Sequence, residues 1–362
     1  MPVIKLLICN LSFFALFSMH TAYADSDGEQ TPDAEQTFIT KLVQEYGFSA
    51  DEVRQQLSSA VKNDDILKAI SRPWEAKPWY KYQPIFLTEK RLSKGLEFWQ
   101  THQSVLQRAE QKFGIPAEII VAIIGVESFY GTYTGTYSAL DALYTLGFYY
   151  PRRGTFFRKE LAELFVLARE EQFSLDELTS SYAGALGWGQ FIPSSYRYYA
   201  IDFDGDGRRD LLNNPVDAIG SVANYFSRHG WQKNQPVAFP VTVENSQYQG
   251  FIAKGLKYKD TFGQLETAGI QLDQQAARQF SLPQSQNKWQ QVAGTSDAKL
   301  FEFEQATQAE YWLGLKNFYV ITRYNHSPLY AMAVYQFSLQ LSHARRQQGE
   351  ALPLSSNIEL KP

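Results

Sequence analysis

The stretch "IIVAIIGVESFYG", from Ile119 to Gly131, predicts a buried helix that ends in a single carboxylate. Apolar residues fill the run up to Val126, Glu127 follows directly, and Pro116 stands in the first turn, as is typical of a helix start. A carboxyl group with apolar neighbours loses hydration, which raises its pKa and lets it donate a proton near neutral pH. The alternative is a partly exposed glutamate at a helix end, or one that pairs with an arginine.

The start of the chain has the pattern of a cleaved secretion signal. Lys5 precedes an apolar stretch, and Ala22-Tyr23-Ala24 forms a small-x-small cleavage pattern before Asp25. Polar residues interrupt the stretch, which is therefore shorter than the about 20 apolar residues of a membrane-spanning helix. A lipoprotein signal ending in "LLIC" is disfavoured, because Ile8 is not small and little apolar sequence precedes Cys9. We expect secretion through a cleaved signal peptide, without a lipid anchor.

The composition excludes several functional classes. Of the 362 residues, 44% are apolar and 20% are charged, which is typical of a globular protein. The only cysteine, Cys9, lies in the predicted signal, so the exported chain would contain no disulfide, thiolate metal site or cysteine nucleophile. The net charge of −4 argues against nucleic-acid binding, which requires a basic surface.

Apolar residues recur at helical spacing over most of the chain, but the stretch from about Pro236 to Phe303 has the alternating pattern of strands. We therefore expect a small β-containing insertion in a helical protein. The segment "RPWEAKPWYKYQPIF", residues 72–86, contains three prolines among aromatic residues and predicts an extended, packed linker.

Five long motifs follow one another along the chain: "GVESFYG" (125–131), "YPRRGTFF" (150–157), "SYAGALGWGQFIPSSY" (181–196), "DFDGDGRRDLLNNPVDAIGSVANYF" (202–226) and "RYNHSPLYAMAV" (323–334). Together they resemble the membrane-bound lytic murein transglycosylase B family, and the resemblance extends from about Phe38 to Gln340. It implies a mainly α (α+β) fold with a lysozyme-like catalytic core, a helical N-terminal region and a small β-rich insertion.

The resemblance also implies how the chain divides. The expected segments are a signal peptide at 1–24, an N-terminal helical region and linker at 25–97, a lysozyme-like core with an EF-hand-like loop at 98–234, a small β-rich insertion at 235–310, a return to the core at 311–346 and a loose tail at 347–362.

In the family that the chain resembles, the glutamate of an E-S/T-x-x-G motif is the sole catalytic acid and base, and that position here is Glu127. The implied reaction cleaves the β-1,4 bond between N-acetylmuramic acid and N-acetylglucosamine without water. The acetamido group of the substrate assists, and the product ends in 1,6-anhydro-N-acetylmuramic acid. Two-carboxylate glycosidases need a second acid. Asp141 is the nearest candidate here, but its position at the start of a helix favours a structural role.

The resemblance further implies substrate contacts. Arg152 and Arg153 would bind substrate oxygens by charge-assisted hydrogen bonds, although two solvated loop arginines are the alternative. For the tyrosines among these residues, core packing is the alternative. Tyr82 matches by spacing alone. The full set of predicted substrate-binding residues is Tyr82, Arg152, Arg153, Ser181, Gln190, Phe191, Tyr225, Tyr324, Asn325 and Tyr330.

The segment "DFDGDG" has the spacing with which an EF-hand calcium loop begins. The bidentate glutamate expected at position 12 is replaced by Asn213, and the resemblance implies that Asp217, at the start of the next helix, closes the site instead. We expect structural Ca²⁺, because Mg²⁺ prefers fewer protein ligands; an Asp/Gly-rich turn without metal is the alternative. The predicted ligands are Asp202, Asp204, Asp206, the backbone carbonyl of Arg208 and Asp217.

Two rival functions remain at this point: a muramidase that hydrolyses the same bond, and a catalytically silent glycan-binding or scaffold protein. The presence of Glu127, Arg152, Arg153 and Gln190 argues against the second. The expected partners are peptidoglycan glycan strands and proteins of cell-wall synthesis or remodelling, with no nucleic acid. We expect a monomer in the bacterial periplasm.

Overall fold

The structure, a computed structural model, describes residues 31–71, 77–244, 246–252, 255–282 and 284–351. The predicted signal peptide and the last residues of the predicted tail lie outside these ranges. The chain divides into two compact units. The first comprises Met1–Ala76 and Glu127–Arg228, and the second comprises Lys77–Val126 and His229–Pro362.

Helices dominate the described residues. They are α1 (Thr31–Tyr46), α2 (Ala50–Ser59), α3 (Asp64–Ile70), α4 (Trp79–Phe86), α5 (Glu89–Thr101), α6 (Gln103–Phe113), α7 (Ala117–Ser128), α8 (Ala139–Tyr149), α9 (Gly154–Glu171), α10 (Pro193–Tyr199), α11 (Pro215–Arg228), α12 (Phe262–Thr267), α13 (Gln274–Gln279), α14 (Ser285–Gln291), α15 (Lys316–Tyr324) and α16 (Pro328–Ala351). The strands are β1 (Tyr137–Ser138), β2 (Thr179–Ser180), β3 (Ala238–Val243), β4 (Asp260–Thr261), β5 (Ile270–Leu272), β6 (Asp297–Glu304) and β7 (Ala309–Gly314).

In the first unit, helices α8 and α9 pack closely around apolar side chains. Ser138 caps α8, because its hydroxyl accepts a hydrogen bond from the backbone N–H of Asp141 at 3.1 Å. The Asp141 carboxylate accepts a further bond from the Val61 backbone N–H at 2.7 Å. Asp141 therefore has the structural role that its position in the sequence predicted. The short strands β1 and β2 pair antiparallel beside these helices.

Ionic contacts join α9 to α10 and to the segment that follows α10. Arg197 of α10 bonds Glu163 and Glu170 of α9, and Arg209 bonds Glu170 and Glu171 at the end of that helix. The Arg197 side chain is 22% exposed and that of Glu163 is 6% exposed. The Arg197–Glu163 pair is therefore less screened than a surface ion pair, and together the four bonds hold α10 and the following loop against α9.

The second unit contains a five-stranded antiparallel sheet in the order β4-β6-β7-β3-β5. In the register of its central pair, Leu300 lies opposite Leu313 and Phe301 lies opposite Trp312. A buried apolar cluster on the sheet includes Phe239, Phe262 and Trp289 together with side chains of β6 and β7. The prediction of a mainly helical protein with a small β-rich part is therefore confirmed.

The segment that was expected to be an extended linker is partly helical, and the prediction was wrong for residues 79–86. Helix α4 forms there although Pro84 lies inside it and cannot donate a backbone hydrogen bond. Trp79, Tyr82 and Phe86 are at most 2% exposed. Their burial in the core stabilises the helix by more than the proline destabilises it, which local propensity cannot show.

None of the helices within the described ranges is both long enough and apolar enough to cross a membrane.

Candidate active site

Glu127 lies at the end of the apolar helix that its sequence predicts. It is the second-last residue of α7, in which Ile120, Ile123 and Ile124 are fully buried. Glu127 itself is 7% exposed, and Ser128 is completely buried. The carboxyl group of Glu127 has therefore lost most of its contact with water.

The backbone directly after Glu127 turns in an uncommon conformation. Phe129, Tyr130 and Gly131 have positive φ angles of 51°, 58° and 74°. Ser128 stabilises the turn, because its hydroxyl accepts from the Gly131 N–H at 3.0 Å and its carbonyl accepts from the Tyr133 N–H at 2.8 Å. Two successive aromatic residues in the left-handed region store strain, which is common at functional sites.

Glycine is required at position 131 for space as well as for conformation. A Cβ atom at Gly131 would lie 2.6 Å from the indole ring of Trp188. Trp188 belongs to the motif "GALGWGQ", so this close contact joins the turn after Glu127 to the loop that carries Gln190. No local pattern in the sequence points to Trp188, and the glycine in "SFYG" is the signal of a close contact at this turn.

The loop from Leu186 to Phe191 is closed by two backbone bonds between these residues, of 2.9 and 3.0 Å. Within it, Gln190 has a φ of 50° and a side chain that is turned inward. Its amide nitrogen donates to the Gly187 carbonyl at 2.8 Å and to the Thr134 carbonyl at 3.0 Å. The Gln190 side chain is therefore held in one orientation by the loop and by the segment after Glu127.

Ser181 shapes the backbone before this loop. It is fully buried, and its hydroxyl oxygen accepts bonds from the N–H groups of Ala183 at 3.3 Å and Ala185 at 3.1 Å. These bonds explain why a small hydroxyl residue occurs there. Its predicted contact with substrate stays a prediction.

The two predicted arginines differ in their surroundings. Both lie in a 3₁₀ turn, Pro151–Arg153, and Arg152 is exposed whereas Arg153 is half-buried. The Arg153 guanidinium lies 4.0 Å from the ring centre of Phe156, at cation–π distance. Burial lowers the pKa of Arg153 from its ordinary value, but the group remains a cation at neutral pH. Arg153 is thus a charge that its aromatic neighbour orients, whereas Arg152 is exposed to solvent.

Phe191 and Tyr225 pack together in the first unit. Their ring centres are 5.8 Å apart, and Tyr199 packs edge-on against Tyr225 at 4.8 Å. Phe191 is 3% exposed and Tyr225 is 7% exposed. The structure therefore brings these two predicted sugar contacts together, although most of each ring is in contact with protein.

The other predicted substrate residues belong to the second unit. Tyr82 is 1% exposed in α4, next to Phe86 at 5.1 Å between ring centres. Tyr324 ends α15 and is half-buried, whereas Asn325 and Tyr330 are buried. Their roles in substrate binding stay predictions.

Three carboxylates converge where the sequence predicted a cation site. Oxygen atoms of Asp202, Asp204 and Asp217 all lie within 4.8 Å of one another. Asp217 is fully buried, and burial, together with the charges of Asp204 and Asp202, raises its pKa to about 6. Gathering three acids without a cation is unfavourable, and hard carboxylate oxygens at this spacing fit Ca²⁺.

Backbone amides hold the acids of this loop in position. Asp202 accepts from the N–H groups of Gly205 at 2.6 Å and Gly207 at 2.9 Å. Asp217 accepts from those of Phe203 at 2.7 Å and Asp210 at 2.8 Å. The loop is therefore pre-organised by its own backbone. The group of converging acids does not include Asp206, whose carboxylate accepts from the Arg208 N–H at 2.9 Å.

Tyr196 connects the aspartate-rich loop that begins at Asp202 to the loop that carries Gln190. The buried Tyr196 hydroxyl donates to the Arg209 carbonyl at 2.5 Å and accepts from the Leu211 N–H at 2.8 Å. The Leu211 carbonyl in turn accepts from the Trp188 N–H at 2.9 Å. Tyr196 ends the motif that carries Gln190, and no local pattern distinguishes it from an ordinary core tyrosine.

The chain matches known proteins over most of its length. Residues 30–339 match the model of the transglycosylase SLT domain family. The chain is 41% identical over 331 residues to membrane-bound lytic murein transglycosylase B of Escherichia coli (strain K12), an alignment that covers 89% of this chain and 86% of that protein.

Two solved structures are similar over most of the chain. Soluble lytic transglycosylase SltB1 from Pseudomonas aeruginosa has 42% identity and a TM-score of 0.79, with 87% of this chain and 100% of that chain covered. Escherichia coli lytic transglycosylase Slt35 in complex with calcium has 40% identity and a TM-score of 0.76, with 87% and 94% covered.

Proposed function

Since the chain belongs to the transglycosylase SLT domain family and is a lytic murein transglycosylase, we propose that Glu127 is its single catalytic acid and base. The observation that carries this proposal is the position of Glu127, 7% exposed at the end of the apolar helix α7 and directly before a strained turn. The predicted lysozyme-like fold of the catalytic part agrees with the similarity to solved lytic transglycosylases.

In the first step, neutral Glu127 donates its proton to the oxygen between N-acetylmuramic acid and N-acetylglucosamine. The bond from this oxygen to the anomeric carbon of the muramic acid breaks. The carbonyl oxygen of the 2-acetamido group on the same sugar forms a bond to that carbon and takes up the positive charge. No protein carboxylate is needed as a nucleophile, in contrast to retaining two-carboxylate glycosidases.

In the second step, the Glu127 carboxylate accepts the proton of the C6 hydroxyl of the same sugar. The C6 oxygen attacks the anomeric carbon, and the acetamido oxygen leaves. This closes the 1,6-anhydro ring and restores neutral Glu127 without consuming water. Asp141 is bonded to Val61 and Ser138 at the start of α8, which agrees with a mechanism that uses one acid.

The remaining residues of the proposed site bind the glycan. Arg152 and Arg153 attract carboxyl or carbonyl oxygens of the substrate, and Gln190 and Phe191 bind near the acetamido group and beneath a sugar ring. Gln190 suits this task because its amide is already oriented by Gly187 and Thr134. We propose the same class of contact for Ser181, Tyr225, Tyr82, Tyr324, Asn325 and Tyr330.

We propose that Asp202, Asp204 and Asp217 hold a structural calcium ion, with Asp206 and the carbonyl of Arg208 as further ligands. The mutual distance of three carboxylates supports a cation at this place, and a calcium complex is described for the similar Slt35. When bound, the ion neutralises the acids and stabilises the loop.

We further propose that the protein acts in the bacterial periplasm after removal of residues 1–24.

Mass spectrometry of the products tests the reaction type. Purified murein is digested with the enzyme, and the released fragments are compared with those from a hydrolytic muramidase. We expect fragments that are lighter by one water than the hydrolytic products, because the anhydro ring replaces the reducing end. Reducing N-acetylmuramic acid ends as the main product would instead support the rival hydrolase.

Glu127→Gln tests the role of the acid. Glutamine keeps the shape of the side chain but cannot donate the required proton, so we expect lysis to fall by about 10²–10⁴-fold. Binding of an insoluble murein suspension should persist, which separates chemistry from substrate binding. A scaffold protein would bind murein with or without Glu127 and would release no fragments in either form. Full lytic activity in the variant would contradict the proposed mechanism.

A further inference from the structure

The second unit contains a cavity of about 150 Å³ in which charges of both signs line one small space. Its wall is formed by the start of α7, the residues that lead into β3, the helix α16, and Ser281, Leu282, Ser285 and Lys288. The wall includes the carboxylate Glu118 and the cations Lys288 and Arg346. None of these residues takes part in the proposed lytic reaction.

The acid of this cavity is half-buried, whereas the two cations are exposed. Burial is the main cause that raises the pKa of Glu118, and the charges of Lys288 and Arg346 act in the opposite direction. Among the described residues, neither cation forms an ion pair with Glu118. A partly desolvated carboxylate that has no direct ion pair is unfavourable, and a cationic ligand would reduce that cost.

A second acceptor lines the same cavity as this acid. The Tyr335 hydroxyl, which is buried and lines the same cavity, donates its proton to the Ala238 carbonyl at 3.1 Å. Its oxygen therefore still has lone pairs for a donor. The nearby charge of Glu118 contributes to the raised pKa of Tyr335, which agrees with their proximity. An ammonium group, with three donors, matches this pair of acceptors.

The two cations line the same cavity and offer donors to an anionic group. Arg346 is oriented by bonds to the Ser342 hydroxyl at 2.9 Å and to the Ser281 carbonyl at 3.3 Å. Lys288 stands on α14 and is exposed. Ile119 and Phe239, which are both buried, contribute apolar surface to the same cavity wall.

We propose that this cavity binds a small α-amino-acid zwitterion, with its ammonium group at Glu118 and Tyr335 and its carboxylate at Lys288 and Arg346. A cavity of about 150 Å³ accepts a molecule of roughly benzene's size, which suits a small amino acid such as alanine. Two sources share this chemistry: a free amino acid, and the free end of a diamino acid in an uncrosslinked stem peptide of murein.

Calorimetric titration of the protein with L-alanine, propionate and ethylamine tests the proposal. Propionate lacks the ammonium group, and ethylamine lacks the carboxylate. We expect alanine to bind with a dissociation constant of about 1 mM and each of the others to bind at least about tenfold more weakly, because each leaves one charged partner unsatisfied. Failure of alanine to bind, or equal binding of the three compounds, would overturn the proposal.

Substitutions locate the site. Glu118→Gln and, separately, the double variant Lys288→Ala/Arg346→Ala should each weaken alanine binding by at least about tenfold. Glu97→Gln, which removes an exposed carboxylate of the same unit, is the matched control and should bind as the original protein does. Circular dichroism checks that each variant is folded. Unchanged binding in both cavity variants would contradict the assignment.

A further titration distinguishes the two sources. A disaccharide–pentapeptide fragment of murein with a free diamino-acid end is compared with the same fragment acetylated on that amine. If acetylation and Glu118→Gln weaken binding of the fragment to the same extent, the ligand is a stem peptide. If neither changes it while alanine still binds, the ligand is a free amino acid. Both results support the zwitterion site, and neither depends on lytic activity.

Discussion

The side-chain amide of Gln190 donates a hydrogen bond to the backbone carbonyl of Thr134 at 3.0 Å. Thr134 follows the strained turn after Glu127, and Gln190 stands in the loop closed by Leu186 and Phe191. The bond therefore holds together two segments that are 56 residues apart in the sequence. It couples the orientation of a proposed substrate contact to the backbone next to the proposed acid.

Replacing Gln190 should lower activity more than stability. In Gln190→Glu an oxygen takes the place of the amide nitrogen and faces the carbonyl oxygens of Gly187 and Thr134. We expect the turnover number to fall by about tenfold to a hundredfold, because a small displacement of a positioning loop has effects of that order. Gln190→Gly removes the side-chain amide and also relieves the positive φ. It therefore separates the contribution of the amide from that of the strained backbone. If the glycine variant keeps full activity, the amide has no positioning role.

Alanine at Gly131 should destabilise the protein far more than alanine at Gly47. Both glycines have a positive φ, of 74° and 69°, but only Gly131 has a neighbour, Trp188, in the space of a Cβ atom. We expect Gly47→Ala to lower the free energy of unfolding by about 1–2 kcal/mol and Gly131→Ala by more, with loss of lytic activity in Gly131→Ala alone. Urea unfolding and a lysis assay measure both effects. Equal losses of stability would show that the Trp188 contact adds nothing to backbone strain.

Calcium should stabilise the protein through the loop at Asp202, Asp204 and Asp217. We expect the melting temperature to rise on addition of Ca²⁺ and to fall on chelation, with a smaller response to Mg²⁺. Asp204→Asn should weaken the response more than Asp206→Asn, because Asp204 belongs to the converging group and Asp206 lies outside it. The reverse order of the two variants would contradict the ligand geometry, and no response in the original protein would exclude the site.

The stability of the protein should depend on pH through Glu160. Burial raises the pKa of this carboxyl, and bonds from the Ser194 N–H and hydroxyl at 3.0 and 2.9 Å oppose the shift. The folded state therefore holds the proton more tightly than the unfolded state. Its contribution to stability is complete below the unfolded pKa and is lost as the pH rises through the folded pKa.

Glu160→Gln cannot ionise, so its free energy of unfolding should decrease less than that of the original protein between about pH 4 and pH 7. Urea unfolding at several pH values gives both curves, and Glu97→Gln controls for the removal of one negative charge at an exposed position. Parallel curves for the original protein and Glu160→Gln would show that this residue does not contribute to the pH dependence.

Short-range features of the sequence predicted several parts of the structure correctly. The apolar run before Glu127 forms helix α7, and the alternating segment from about Pro236 to Phe303 contributes strands β3 to β6, whereas β7 lies beyond it. The Asp/Gly spacing from Asp202 predicted a tight loop, and Pro215 begins the helix that contains Asp217. Such features were predictable because periodicity, helix starts and turn residues depend on neighbours within a few positions.

Other parts required the folded chain. The sequence predicted an extended linker where α4 forms, because the burial of Trp79 and Phe86 involves residues far along the chain. The contact of Gly131 with Trp188 also joins residues that are far apart in the sequence. The same is true of the hydrogen bonds through Tyr196. A local sequence pattern does not predict which distant side chain will occupy a given position in the packed core.

By itself, the sequence determined that one carboxylate, Glu127, ends an apolar helix, and the five motifs identified the class of enzyme. Only the tertiary structure decided how the backbone after that carboxylate is held: a strained turn in contact with Trp188, a Gln190 amide bonded to Thr134, and the aspartate-rich loop from Asp202, joined to the Gln190 loop through Tyr196. The physical reason is that helix formation is governed by local periodicity, whereas the orientation of side chains in a site depends on close packing and hydrogen bonds between segments distant in sequence.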